Sequence, residues 1–127
     1  MAKKKKILVV DDESNIRLLV KNMIGTRYDV IEAADGDEAV TKAQKEKPDL
    51  VLLDILMPGK DGFTTCNQLK AGKDTKDIPV VMVTALQHKL DEKLALSLKA
   101  DGYMRKPFTS EDLLAAVHAA LSPKRQK

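Results

Sequence analysis

Three short apolar runs, Ile7–Val10, Leu50–Leu53 and Ile78–Val83, restrict the fold of this chain more than any other feature. Each is too short for a helix, and none alternates apolar with polar residues. Runs of this kind are strands covered on both faces, as in the middle of a parallel sheet. Pro48 precedes the central run and Pro58-Gly59 follows it, which limits the strand at both ends. Pro79 lies near the start of its run, where a missing backbone donor is tolerated.

The segments between the runs have another period. Ile16, Leu19, Val20, Met23 and Ile24 recur at helical spacing and predict an amphipathic helix over 14–25, closed by Gly25. Tyr28–Glu32 reads as a brief strand, Ala34-Asp35-Gly36 as a turn, and 37–47 as a helix with Ala39, Val40 and Ala43 inward. Further helices are predicted over 63–70 and 91–99, the latter packing Leu94, Ala95 and Leu98, and a short strand over 101–104. Thr109 caps the last helix, with Glu111 and Asp112 in its first turn and Leu113, Leu114, Val117, Ala120 and Leu121 on its buried face. Five strands thus alternate with five helices. Right-handed crossovers then leave an α/β, doubly wound five-stranded parallel sheet as the expected architecture. Residues 1–127 form one domain in this reading, with a basic tail over 1–5 and a flexible tail over 123–127.

Composition narrows the class. A hydrophobic content of 43% with 32% charged residues describes a soluble globular chain. Lys3–Lys6 resembles the start of a signal peptide, yet only four apolar residues separate it from Asp11, and no run reaches membrane-helix length. The single Cys66 excludes an internal disulfide and fits a reducing compartment, so the expected location is the cytoplasm. The net charge of +3 invites a nucleic-acid reading, but the excess sits mainly in Lys3–Lys6 and the Lys124-Arg125-Gln126-Lys127 end. Aromatics are 3% and no recognition motif is present, so neither direct nucleic-acid binding nor membrane insertion is expected.

Chemistry collects beyond the carboxyl ends of parallel strands. The first run is followed by Asp11 and Asp12, the third strand by Asp54, the fourth by Thr84 and the fifth by Lys106. An isolated strand-end Asp usually caps its loop; recurrence of polar groups at four strand ends argues for one shared site. Three converging carboxylates repel one another. A hard divalent cation relieves that repulsion, and Mg²⁺ or Mn²⁺ takes carboxylates, a carbonyl and retained waters. Three carboxylates, a divalent cation and the Lys106 ammonium sum to zero charge. Such a site is suited to a phosphoryl group, and Asp54, on the central strand, is the best placed nucleophile. His88 and His118 lack neighbouring ligands at metal spacing and read as surface residues.

The segments Ile7–Glu13, Asp54–Gly62, Val83-Thr84-Ala85 and Lys106-Pro107-Phe108 together resemble the response-regulator receiver domain of two-component signalling, across essentially the whole chain. The resemblance implies a flavodoxin-like sheet order of 2-1-3-4-5. It implies that Asp54 accepts a phosphoryl group from a sensor histidine kinase or a histidine phosphotransfer protein. Asp12, Asp54 and the Leu56 carbonyl would hold Mg²⁺, with Asp11 acting mainly through water. Lys106, the Thr84 hydroxyl and the Ala85 amide would hold phosphoryl oxygens. Movement of Thr84 would let Tyr103 turn inward and alter the face made by the 91–99 helix, the fifth strand and the last helix, where an unknown downstream protein would bind. The chain would be a monomer or a phosphorylation-dependent dimer. Apolar Leu56 and Leu86 flank the line of hydrolytic attack and cannot orient a water, so slow self-dephosphorylation is expected without turnover catalysis.

Other readings lead elsewhere. A stand-alone receiver and a receiver cut from a longer regulator differ in how the chain continues beyond Ser122, after which only five residues remain. A phosphatase of the haloacid-dehalogenase type also uses an Asp nucleophile, but in an Asp-x-Asp pattern after its first strand. Asp11-Asp12-Glu13 lacks that spacing, and no cap domain is present. A degenerate receiver, never phosphorylated, would lack one of the acids, the Thr or the Lys; all are present.

Overall fold

The computed structural model describes residues 4–54, 62–84, 100–106 and 108–122, with Thr84 described by its backbone alone. Five strands, β1 (Lys6–Val10), β2 (Asp29–Ala33), β3 (Leu50–Asp54), β4 (Val80–Thr84) and β5 (Gly102–Arg105), form one sheet in the order β2-β1-β3-β4-β5. Every pairing is parallel, with Leu8 opposite Val51, Leu53 opposite Met82 and Val83 opposite Met104. Four helices, α1 (Ser14–Ile24), α2 (Gly36–Glu46), α3 (Gly62–Ala71) and α4 (Ser110–Leu121), lie among the described residues. The helix expected over 91–99 falls outside them.

The sheet is buried on both sides, which is why its strands read as unbroken apolar runs. Leu8, Val10, Val51, Leu53, Val80 and Met82 point to one face, where Ala39 and Ala43 of α2 and Cys66 and Leu69 of α3 cover them. Ile7, Val9, Leu50, Leu52, Val81 and Val83 point to the other, under Val20 and Ile24 of α1 and Leu113 and Val117 of α4. Small alanines let α2 approach its strands closely, whereas α1 and α4 bring larger side chains.

Local chemistry sets the ends of the helices. Gly25 takes the positive φ of 68° that ends α1, and its amide donates to the Lys21 carbonyl. The Asp35 carboxylate accepts from the Glu38 amide and starts α2. Thr109 and Asp112 form a reciprocal capping box at the start of α4. At the amino-terminal rim of the sheet, Lys70 donates to Asp101 at 2.8 Å and to the Ile78 carbonyl at 2.9 Å, tying α3 to the starts of β4 and β5.

Strand boundaries shift slightly from expectation: β2 and β5 each begin and end one residue later, and β4 begins only after Pro79. One core assignment is corrected. Leu19 is 44% exposed and Leu18 55%, while Ile16 and Met23 pack only partly against the core. The buried stripe of α1 is narrow because the helix rests on a sheet rather than among other helices. Leu53→Ala is expected to cost about 2–5 kcal/mol in urea unfolding, and Leu19→Ala less than about 0.5 kcal/mol. A comparable loss from both would show that Leu19 is a core residue after all.

Cys66 is fully buried on α3, and burial pushes its thiol from 9.0 up to about 11. A raised value in the fold favours the neutral thiol, so this contribution to stability is complete below about pH 9 and is lost as pH rises toward 11. Cys66 in the native protein is therefore expected to resist a thiol-specific reagent at neutral pH and to react fully in denaturant. Rapid native labelling would contradict that burial.

Candidate functional site

The face-by-face alternation of the strands selects which side chains meet at the carboxyl rim. Asp54 lies two residues beyond Leu52, Asp11 two beyond Val9, and Lys106 two beyond Met104. Leu52, Val9 and Met104 all face α1 and α4, so the period of two carries Asp54, Asp11 and Lys106 toward the same side. One ligand oxygen each from Asp11, Asp12 and Asp54 lies within 4.8 Å of the others. The Lys106 ammonium is 3.1 Å from Asp11 Oδ2 and 3.7 Å from Asp54 Oδ2. Four residues from three strand ends are thereby gathered in one place.

Their environments differ. Asp11 and Asp54 are buried, at 3% and 5% exposure, whereas Asp12 is open to solvent. The floor is apolar: Val9, Leu52, Val83, Met104 and Phe108 line the small cavity that Asp11 and Asp54 share. A low-dielectric floor strengthens every charge interaction above it. Asp11 is engaged at both oxygens, Oδ1 accepting from the Glu13 amide at 2.9 Å and Oδ2 from Lys106. Lys106 is held by its own surroundings, since β5 ends at Arg105 and the capped start of α4 comes soon after.

The donor set is all oxygen and rich in carboxylate. That is the chemistry of a hard divalent cation, and a span of 4.8 Å is one such an ion can draw together or bridge with retained water. Thr84 closes β4 opposite Arg105 in the register. Leu56 and Ala85 lie outside the described residues, as does the side chain of Thr84. Tyr103 on β5 faces α3 rather than α1 and α4, packed against the cluster that holds Met82 and Val10. Its hydroxyl is buried without a hydrogen-bond partner among the described residues.

The structure adds one participant that the strand-end pattern did not reveal. Arg17 of α1 donates from Nη1 to the Asp11 carbonyl at 2.7 Å and from Nε to Glu32 Oε1 at 2.8 Å. The available signal was positional, a basic residue flanking the apolar stripe of α1 and an acid near the end of β2. Larger, more open clefts lie at the opposite rim, one of about 490 Å³ lined by Lys5, Asp49, Lys70, Lys76 and Asp101 among others. The Lys70–Asp101 pair there links elements of the fold, and that cleft lies away from the carboxyl rim where parallel-sheet chemistry collects.

A parallel 2-1-3-4-5 sheet with three acids and a lysine at its carboxyl rim is the layout of a signalling receiver. The model of the response regulator receiver domain matches residues 7–118, and the chain belongs to that family. It is 48% identical over 118 residues to the alkaline phosphatase synthesis transcriptional regulatory protein PhoP of Bacillus subtilis, covering 92% of this chain and 48% of that protein. A probable transcriptional regulator, ycf27 of Cyanophora paradoxa, is 46% identical over 121 residues, with 93% and 48% covered. The chain thus spans about half the length of the curated relatives it matches. Among solved structures, Vibrio cholerae chemotaxis protein CheY4 superposes with a TM-score of 0.89 at 32% identity, covering 94% of this chain and 100% of that one. The BeF3-activated N-terminal receiver domain of Klebsiella pneumoniae RstA gives 0.86 at 35% identity, with the same coverage. Among the described residues, no helix is long and apolar enough to cross a membrane.

Like charges held together at the rim should oppose folding when no cation is present. Asp12→Asn removes one of them at the exposed position and is expected to stabilise the cation-free protein by up to about 1 kcal/mol. With millimolar Mg²⁺ the order should reverse, because the wild type then gains more from binding. Urea unfolding with EDTA and with Mg²⁺ measures both. A variant less stable than wild type in EDTA would mean that Asp12 is not under repulsion.

Proposed function

We propose that this chain is a phosphoacceptor receiver, in which Asp54 takes a phosphoryl group from a phosphohistidine on a sensor histidine kinase or a histidine phosphotransfer protein. The observation that supports this most directly is the convergence of the Asp11, Asp12 and Asp54 oxygens within 4.8 Å, with the Lys106 ammonium at 3.1 and 3.7 Å from two of those acids. Asp54 supplies the attacking carboxylate oxygen. As its bond to phosphorus forms, the phosphorus–nitrogen bond of the donor breaks and the imidazole leaves. Lys106, with three donors on one ammonium, keeps its contact with Asp11 while offering another proton to a phosphoryl oxygen. The Thr84 hydroxyl and the Ala85 amide hold the remaining oxygens in this reading.

Asp12, Asp54 and the Leu56 carbonyl would hold Mg²⁺ or Mn²⁺. Asp11, already engaged by the Glu13 amide and Lys106, would act through water. When bound, the cation supplies positive charge for the transferring group. The site is spent in one transfer, so the protein is a switch and not a turnover enzyme. Phosphorylation draws Thr84 inward and lets Tyr103 change rotamer, which alters the face made by β5, α4 and the 91–99 segment for a downstream protein. The phosphorylated form is a monomer or dimerises through that face, and the protein acts in the cytoplasm. The length of the curated relatives, about twice the matched stretch, favours a second reading in which this is the receiver half of a longer transcriptional regulator. The length of the full coding sequence separates the two.

Acetyl phosphate with Mg²⁺ is expected to add the mass of one phosphoryl group to the wild type. None should be added in EDTA, and none to Asp54→Asn. Leu56→Asn should lose its phosphoryl group faster than the wild type, because an amide there can orient a water. Labelling of Asp54→Asn equal to the wild type would refute the acceptor assignment, and steady release of phosphate from a phosphomonoester would restore the phosphatase reading.

A further inference from the structure

The Asp11 carbonyl belongs to the peptide that joins Asp11 to Asp12. That unit is planar, so fixing its oxygen orients the Cα positions of both acids at once. Arg17 holds this oxygen at 2.7 Å, and the same guanidinium is anchored at Nε by Glu32 on β2 at 2.8 Å. The Arg17 side chain is 16% exposed. Its anchor is itself secured. The Glu32 carbonyl accepts from Lys42, Lys42 pairs with Glu38 at 3.3 Å, and Glu38 accepts from the Ala34 amide at 2.8 Å. On the other side of the same residue, the Asp11 amide donates to the Ala33 carbonyl at 3.1 Å. Two donors of one rigid fork therefore span α1, the end of β1 and the end of β2. A lysine, with a single nitrogen, cannot meet both partners along the same directions.

We infer that Arg17 is a positioning residue for the cation-binding acids, an inference that rests on the reading of the site given above. Its role is to set the direction in which Asp11 and Asp12 present their carboxylates toward Asp54, without touching any carboxylate that binds the cation. The sign of its effect separates this role from simple charge. A guanidinium near an acidic site repels a divalent cation, so on electrostatic grounds alone its removal tightens cation binding. Loss of a positioning contact weakens binding instead, typically about tenfold or more for a group that orients metal ligands.

The test is Mn²⁺ binding to the full unphosphorylated chain, measured by electron paramagnetic resonance of the free ion, with urea unfolding alongside. Arg17→Met keeps much of the apolar stem and is expected to bind Mn²⁺ about tenfold more weakly; Arg17→Lys, which keeps one donor for the Asp11 carbonyl, should show a smaller loss although it also keeps the repelling charge. Mn²⁺ affinity equal to or tighter than wild type in folded Arg17→Met overturns the inference, even if the variant unfolds more easily. Should Arg17→Met not fold, Arg17→Gln, which also removes the positive charge, carries the test, with weaker Mn²⁺ binding supporting the role and equal or tighter binding overturning it. A wild type that fails to bind Mn²⁺ would instead sink the cation-site reading itself.

Discussion

The rest of this structure is built around a repulsion. Asp11 and Asp54 are both almost fully buried, and their ligand oxygens lie within 4.8 Å of each other. At an effective dielectric of about 20, two charges at that distance oppose one another by roughly 3 kcal/mol. A domain of this size has a net stability of only about 5–15 kcal/mol. The acids stay together because the neighbouring elements leave them little room to part. Strands β1 and β3 are hydrogen-bonded neighbours, and each carries apolar side chains locked into both faces of the sheet. Lys106 then offsets part of the charge, placed 3.1 and 3.7 Å from the two buried carboxylates. Interactions at those distances have the same order of magnitude as the repulsion, so one ammonium goes far toward balancing it.

Register decides whether this can work. Side chains alternate along a strand, so a slip of one residue in β3 would exchange its Leu50/Leu52 face with its Val51/Leu53 face and swing Asp54 away from α1 and α4. Burial on both sides does not by itself forbid that slip, since both faces are apolar. The faces differ in the volume they accept. On one side Ala39 and Ala43 allow α2 to sit close; on the other Ile24, Leu113 and Val117 fill a larger gap. The limits of the strand add to this: the Asp49 amide donates to the Lys6 carbonyl at 2.7 Å and the Lys6 amide to Asp49 Oδ2 at 2.8 Å, pinning the start of β3 against β1. The acids at the carboxyl rim are thus aligned in part by contacts at the other end of the same strands.

Much of this was legible in the sequence. Leu50–Leu53 and Ile7–Val10 could only be doubly covered strands, and the polar residues beyond them had to emerge on one rim. The strand order came with the family resemblance and not from spacing. Leu19 was misread for a definite reason. Counting by three and four from Ile16 includes it, but the buried stripe centres between Val20 and Ile24, and Leu19 lies about 120° from that centre around the helix. Arg17 flanks the stripe on the opposite side, turned toward β2, and charged residues beside a stripe usually reach solvent. Its contact with the Asp11 carbonyl depends on where Glu32 falls on β2, a tertiary fact that no local pattern contains. The same holds for Lys70 and Asp101, which lie 31 residues apart and meet only because α3 ends beside the start of β5.

Two cations therefore serve the same acids by different routes. Lys106 approaches carboxylate oxygens directly, where it offsets charge and where an incoming anion would also find it. Arg17 approaches a backbone oxygen and leaves the carboxylates to other partners. Had both been placed on carboxylates, two of the three acids would be paired with no cation bound, and a metal would have to displace a guanidinium to enter. Placing the second cation on the peptide keeps the direction of Asp11 and Asp12 fixed while the rim retains its negative excess. The proposed function, in which the site holds a divalent cation and then admits a phosphoryl group beside it, requires both properties together.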